Sequence, residues 1–99
     1  MKIVAVTACP TGIAHTYMAA EKLEKIAKKL GHTIKVETQG AMGIENELTQ
    51  PEVDAADAVI IAADIAIERA ERFEKKTRKV SVPVHETLKN PDAIFASLN

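Results

Sequence analysis

Two stretches of the chain are apolar almost throughout, residues 3–8 and residues 58–63. Runs of this length and composition are typical of strands that are buried on both faces of a sheet. Residues 33–38 instead alternate between polar and apolar side chains, and a shorter strand is predicted at 80–82. We therefore place the two apolar runs at the centre of the sheet and the other two strands at its edges.

The stretches between these strands show the periodicity of helices. It is clearest in residues 13–30, where apolar residues recur every three or four positions. The predicted helices cover residues 13–30, 51–56, about 65–75, and 90–98. Gly31 supplies a left-handed stop after the first helix, and Asp64 is placed to cap the third. Pro51 and Pro91 each suit a first helical position, with Asn90 as the cap before Pro91. A loop is predicted at 39–43.

This alternation of strands and helices predicts one α/β domain over residues 1–99, with a four-stranded open parallel sheet and helices on both faces. Right-handed crossovers and the placement of the apolar strands give the strand order 2-1-3-4. Ligands of such sheets bind beyond the carboxyl ends of the strands, where the strand order reverses. The loops at 9–12 and 63–65 should meet at that point.

Composition narrows the function classes. The 99 residues carry a formal net charge of −1, and only 3% of them are aromatic. A nucleic-acid binder would normally show a basic excess or stacking aromatics, so we expect none. No stretch is long and apolar enough to enter a membrane. Neither His32 nor His85 has metal-ligand neighbours, and one cysteine cannot form an internal disulfide, so we expect a cytoplasmic protein without metal or cofactor.

That cysteine, Cys9, lies in the first of the two loops, directly before a predicted helix. Backbone amides and the helix dipole favour a thiolate at such a position, and they would also receive the oxygens of a phosphoryl group bound to its sulfur. Gly12 allows close backbone approach, Thr11 and Thr16 offer hydroxyls, and His15 could donate a hydrogen bond or pair with the thiolate. The predicted phosphate cradle consists of Pro10, Thr11, Gly12, Ile13, Ala14, His15 and Thr16.

Each of these residues also has a purely structural interpretation. Cys9 could be a small buried apolar residue, Thr11 a helix cap and His15 an ordinary surface residue. For Asp64 a capping role is favoured over proton transfer, so it is assigned a supporting role. The basic run at 75–79 precedes the last strand and therefore lies at the opposite edge of the sheet, where we interpret it as solvated surface.

Residues 9–16, followed by Met18, Ala19, Ala20 and Glu21, resemble the active-site signature of fructose-type IIB domains of the bacterial phosphoenolpyruvate-dependent sugar phosphotransferase system. The resemblance extends over nearly the whole chain. Its further matches are residues 36–40, Gly43, Asn46, residues 56–60, Ala62, Asp64, Arg72 and Phe73.

The resemblance implies a phosphoryl carrier. Cys9 would accept a phosphoryl group from a phosphohistidine on a IIA protein and pass it to a sugar, fructose in the first instance, bound by the membrane IIC component. It also implies a cytoplasmic position at the inner face of the membrane, either as a separate subunit or as one domain of a longer protein. Candidates for the contact face with both partners are Pro10, Ile13, Tyr17, Met42 and the 40–43 loop.

Two other classes remain as alternatives. Low-molecular-weight phosphatases use a Cys-x5-Arg loop on a similar sheet, but here position 15 is His15, which cannot grip phosphate with a planar fork. Arsenate-reductase-like proteins that resolve through an internal disulfide need a second cysteine. A receiver-like binding module would place acidic residues at the end of the first strand, where residues 9–11 offer none.

Overall fold

The computed structural model describes residues 1–9 and 14–98. These residues form one five-stranded sheet in the order β3-β2-β1-β4-β5. The strands are β1 (Lys2–Ala8), β2 (Thr33–Gly40), β3 (Gly43–Glu45), β4 (Ala58–Ala63) and β5 (Lys79–Val82). All neighbours are parallel except β3, which pairs antiparallel with β2. The α/β class is confirmed, and so is the predicted order of the four parallel strands.

The fifth strand corrects the sequence prediction. Residues 39–43 were expected to form a loop, but β2 continues to Gly40 and turns back through Ala41 and Met42 into β3. Gly43 makes this turn with a φ of 92°, a value that suits glycine. Strand β3 therefore covers the carboxyl end of β2, residues 38–40, whereas residues 33–37 remain at the edge of the sheet, as expected.

Helices cover both faces of the sheet, as predicted. They are α1 (Ala14–Lys29), α2 (Gln50–Ala55), α3 (Val84–Lys89) and α4 (Pro91–Ala96), and a 3-10 turn covers Ala70–Phe73. One core lies between the sheet and α1 and α4, around Leu23, Ile60 and Phe95. The other lies on the opposite face, where Val53 of α2 and Phe73 of the 3-10 turn pack against β1 and β4.

The first helix agrees closely with its pattern, because its buried positions, among them Ala19, Leu23 and Ala27, repeat at helical spacing. Gly31 follows it with a φ of 81°, as expected of a left-handed stop. Helix α4 starts at Pro91 as predicted, although the Asn90 side chain makes no capping hydrogen bond.

Two helical predictions differ from the structure. The predicted helix at 65–75 is absent: residues 64–69 are an irregular segment, and only Ala70–Phe73 are helical, as a 3-10 turn. Helix α3, by contrast, was not expected. Helix α2 begins at Gln50, one residue before the expected start, because Thr49 and Glu52 form a reciprocal capping box.

The basic run lies at the amino edge of the sheet, as expected, where Lys79 opens β5. Lys76 differs from a purely solvated residue, since its ammonium donates to the carbonyls of Asp54 (3.0 Å) and Ala56 (2.7 Å). It therefore stabilises the carboxyl end of α2, where backbone carbonyls are otherwise unpaired.

Candidate functional site

Cys9 lies directly beyond the central strand, at the carboxyl edge of the sheet. Its neighbour Ala8 is paired with Gln39 on one side and Ala63 on the other. Cys9 is 4% exposed and packs against Ala19 of α1 and Val84 of α3. The predicted position at the reversal of strand order is thus confirmed for the cysteine.

Among the described residues, Thr16 brings a hydroxyl to this sulfur. It is fully buried in the first turn of α1, and its Oγ1 lies 3.1 Å from Cys9 Sγ. A second hydroxyl fixes its backbone, because Thr7 Oγ1 donates to the Thr16 carbonyl at 3.0 Å. When the sulfur is a thiolate, only the hydroxyl can be the donor in the Thr16 contact, and that hydrogen bond favours the anion.

The other predicted cradle residues divide into two groups. Pro10, Thr11, Gly12 and Ile13 lie outside the described residues. Ala14 and His15 form the start of α1, where both are exposed. This 16-residue helix begins shortly after Cys9 in the chain, so its amino end is the end nearer to the cysteine in sequence. The amino end carries the positive end of the helix dipole, which stabilises an anion.

Asp64 has a supporting position that differs from the predicted one. Its backbone N–H donates to the Ala8 carbonyl at 3.0 Å, which ties the end of β4 to the end of β1. Its Oδ1 accepts from the backbone N–H of Val84 at 3.0 Å. Asp64 therefore caps α3, the helix that packs on Cys9, and does not cap a helix of its own.

A buried polar cluster lies on the opposite face of the sheet, and the sequence patterns did not reveal it. Arg72 donates to both carboxylate oxygens of Glu37, at 2.7 Å and 3.0 Å. Glu37 is 0% exposed and Arg72 5%. Gln39 donates to Glu37 Oε2 at 2.7 Å, and the Leu48 N–H donates to Glu37 Oε1 at 2.8 Å. We call Glu37, Gln39 and Arg72 the Glu37 cluster.

The charge state of this cluster follows from its contacts. Burial alone would raise the pKa of the Glu37 carboxyl, but hydrogen bonds from Arg72, Gln39 and the Leu48 amide outweigh it and lower that pKa. The hydrogen bond to Glu37 raises the pKa of Arg72 against the opposing effect of burial. Both groups are therefore charged at neutral pH, and each compensates the other's desolvation.

A signal for the cluster was present in the sequence. Glu37 and Gln39 are polar residues on the same face of a predicted strand, and Arg72 stands directly before the core residue Phe73. The alternation at 33–38 was interpreted as one exposed face, whereas both faces of β2 become buried towards its carboxyl end.

A cavity of about 220 Å³ opens at the carboxyl edge between the β2–β3 turn and the segment after β4. Gln39, Ile65 and Glu68 are among its lining residues, with Gly40, Gly43, Ile44 and Ala66. Nearby, the Tyr17 hydroxyl donates to Glu45 and so connects α1 to β3. This hydrogen bond raises the pKa of Tyr17.

Over residues 1–9 and 14–98, no group of three or more metal-ligating side chains comes together. In the same residues no helix has the length and apolar character needed to span a bilayer.

One protein family, described as PTS system, Lactose/Cellobiose specific IIB subunit, matches residues 4–97 of the chain. The chain is 55% identical over 97 residues to the PTS system fructose-like EIIB component 2 of Escherichia coli K12, covering 98% of this chain and 91% of that protein. It is 50% identical over 99 residues to a fructose-like PTS system EIIBC component of the same organism, covering 99% of this chain but only 20% of that protein.

Solved structures agree with these relatives. A domain of a fructose-specific IIABC component of Borrelia burgdorferi superposes with a TM-score of 0.92 at 50% identity. The match covers 98% of this chain and 91% of that one. The architecture described above is therefore shared with a relative whose sequence is half identical.

Proposed function

The chain belongs to the IIB family of phosphotransferase-system components, and on that premise we propose that it carries a phosphoryl group on Cys9. The donor is the phosphohistidine of a IIA protein, and the acceptor is a sugar bound by the membrane IIC component. The observation that supports this best is the 3.1 Å contact between Cys9 Sγ and the buried Thr16 hydroxyl, at the point where a helix amino end follows the central strand.

Two in-line displacements account for the transfer. In the first, the Cys9 thiolate attacks phosphorus, an S–P bond forms, and the N–P bond to the donor histidine breaks. In the second, a sugar hydroxyl attacks, an O–P bond forms, and the thiolate leaves while the hydroxyl proton passes to a base on the membrane component. Positioning and electrostatic stabilisation supply most of the catalysis in such transfers.

The thiolate is nucleophile in one step and leaving group in the next, so stabilising it assists both. The Thr16 hydroxyl and the amino end of α1 supply that stabilisation without a fixed guanidinium. Because His15 occupies the position of the phosphatase arginine, the phosphocysteine is held in a form that transfers to a sugar and resists water.

The names of the relatives support a choice of sugar acceptor and a cellular location for the chain. The two relatives described above are named as fructose-like components, which favours fructose over the sugars named for the wider family. In the EIIBC relative the matching region is about one fifth of a protein whose name also includes a C component. We therefore place this chain in the cytoplasm, against a IIC component at the inner face of the membrane.

The test supplies phosphoenolpyruvate, the general phosphotransferase proteins and a IIA donor, and locates the phosphoryl group by mass spectrometry. We expect the label on Cys9 and its complete loss in Cys9→Ser. Absence of label with a donor that phosphorylates a known IIB protein would contradict the proposal.

A phosphatase assay separates the competing enzyme class. We expect the isolated phosphocysteine to persist for far longer than a phosphatase intermediate, and p-nitrophenyl phosphate to be hydrolysed at no more than the background rate. Turnover of this substrate at enzyme-like rates, lost in Cys9→Ser, would assign the site to a phosphatase instead.

A further inference from the structure

The Glu37 cluster has no part in the chemistry proposed above, yet it holds the chain beside the site. Gln39 makes a reciprocal pair of hydrogen bonds with the backbone of Glu68: its Nε2 donates to the Glu68 carbonyl at 3.0 Å, and its Oε1 accepts from the Glu68 N–H at 2.7 Å. Arg72 adds hydrogen bonds to the carbonyls of Arg69 (2.8 Å) and Glu68 (3.3 Å).

These contacts anchor one end of the segment 64–69, and Ala8 anchors the other, since its carbonyl accepts from the Asp64 N–H at 3.0 Å. Gln39 and Ala63 are the two strand neighbours of Ala8, so the segment crosses from one side of β1 to the other at the level where Cys9 follows. Ile65, 45% exposed, lies on this crossing and lines the cavity together with Gln39 and Glu68.

The segment is also held by the Asp64 side chain, which accepts from Val84, by Ile67, which packs on the core, and by the exposed ion pair of Arg69 with Glu47. The segment has no regular secondary structure, and Arg69 adopts a left-handed conformation with a φ of 60°. A non-glycine residue in that region is strained and persists only when its surroundings hold it there. The backbone of Glu68 and Arg69 is held by the amide of Gln39 and the guanidinium of Arg72, and Glu37 keeps both of these groups in position.

We propose that Gln39 is a positioning residue for phosphoryl transfer, which preorganises segment 64–69 as the rim that receives the phosphohistidine donor beside Cys9. This inference rests on the proposed function. A loose rim must be ordered each time the donor docks, and that entropy is lost from binding. Gln39 does not touch the sulfur, so the effect falls on donor encounter and leaves the reactivity of the thiol unchanged.

The experiment compares Gln39→Met with wild type in the full chain. The variant keeps the side-chain length and removes both hydrogen bonds to Glu68, together with the one to Glu37 Oε2. We expect KM for the phosphorylated IIA donor to rise about five- to tenfold, with kcat changed by less than about twofold. The pH profile of Cys9 alkylation by iodoacetamide should coincide with that of wild type.

Hydrogen exchange shows whether the segment itself responds. Hydrogen exchange of the Glu68 amide should become about tenfold or more faster, while the amides of β1 keep their protection. Gln39→Ala provides a second variant if Gln39→Met is poorly folded. The matched control is Gln50→Ala, which removes another glutamine amide that donates to a backbone carbonyl, that of Arg72 at 3.2 Å, without contacting segment 64–69. Its KM should equal that of wild type.

Each failure has its own signature. If the Glu68 amide exchanges faster but KM is unchanged, the order of the rim does not affect binding of the donor. That result would overturn the role of Gln39 and leave the carrier function intact. A shifted alkylation profile would place the effect on the thiol and also overturn it. Absence of donor-dependent labelling of Cys9 in wild type would refute the carrier function itself.

Discussion

Two segments leave neighbouring central strands at the same edge of the sheet, and only one of them becomes a long helix. After β1, the chain passes Cys9 and forms the 16 residues of α1. After β4, residues 64–69 stay irregular, although Ile65, Ala66, Ile67 and Glu68 present no helix breaker.

The difference lies in what each backbone contacts. The N–H and C=O groups of α1 pair within the helix, and its apolar stripe packs along the sheet over several turns. In segment 64–69 the N–H and C=O of Glu68 instead bond to Gln39, and the carbonyl of Arg69 bonds to Arg72. Tertiary hydrogen bonds from a buried ionic cluster thus override helix propensity over this short stretch.

The largest effect is expected from removing the Arg72 guanidinium, which holds segment 64–69 out of a helical conformation. Arg72→Met leaves the Glu37 carboxylate buried without its counter-ion, and we expect a loss of about 3–5 kcal/mol in the free energy of unfolding. Urea denaturation at pH 7 measures it. Arg69→Met is the matched control, because the ion pair of Arg69 with Glu47 is exposed and should contribute only about 0–1 kcal/mol. Equal losses in the two variants would contradict a structural role for the buried pair.

Acid should weaken the same cluster by a smaller amount. The pKa of Glu37 lies below its ordinary value of 4.5 in the folded chain, so below pH 4.5 the unfolded chain binds more protons. The stabilisation is therefore complete above pH 4.5 and is lost as the pH falls through the folded pKa. Urea denaturation of wild type and Glu37→Gln between pH 7 and pH 3 checks this: the stability of wild type should fall more steeply. Parallel slopes would place the acid-sensitive group elsewhere.

Asp64 and Asp57 sharpen the comparison, because each accepts a hydrogen bond from a backbone N–H at one edge of the sheet. Asp64 accepts from Val84 at 3.0 Å, beside Cys9, and Asp57 from Lys2 at 2.8 Å, at the opposite edge. Replacing either with alanine should cost about 0.5–2 kcal/mol in thermal denaturation.

Only Asp64→Ala should also change the alkylation rate of Cys9, since it loosens α3, whose Val84 packs on the sulfur. A faster reaction is expected, because local opening exposes the thiol. An equal effect of Asp57→Ala would mean that general destabilisation, and not the capping of α3, controls access to Cys9.

The parts of the molecule that were predictable from sequence depend on local pattern. Apolar runs placed β1 and β4, helical spacing placed α1, and the resulting topology placed Cys9 at the reversal of strand order. Thr16 lies in the first turn of α1, close enough to Cys9 in sequence for its role at the sulfur to be anticipated.

What could not be predicted involves partners distant along the chain. Glu37 and Arg72 are 35 residues apart, and no spacing rule joins them. Because the pair is not visible in the sequence, segment 64–69 looks like the start of a helix from its composition, and Asp64 looks like the cap of that helix. Strand β3 has only three residues, too few for a period to be visible, and it covers only the carboxyl end of β2, residues 38–40.

The smallest expected change in stability comes from a substitution in α3, the helix that packs on Cys9. The oxygens and nitrogens of the buried cluster are paired, whereas Thr87 of α3 has a buried Oγ1 that, within the described residues, makes no hydrogen bond. Desolvating a hydroxyl without a partner is costly, so Thr87→Val, which keeps the shape, should raise the free energy of unfolding by about 0.5–1 kcal/mol. Thr16→Val is the contrasting variant: it removes a buried hydroxyl 3.1 Å from Cys9 Sγ and should lower stability and transfer rate together. Urea denaturation ranks the two, and a Thr87→Val protein less stable than wild type would indicate that this hydroxyl has a partner in solution.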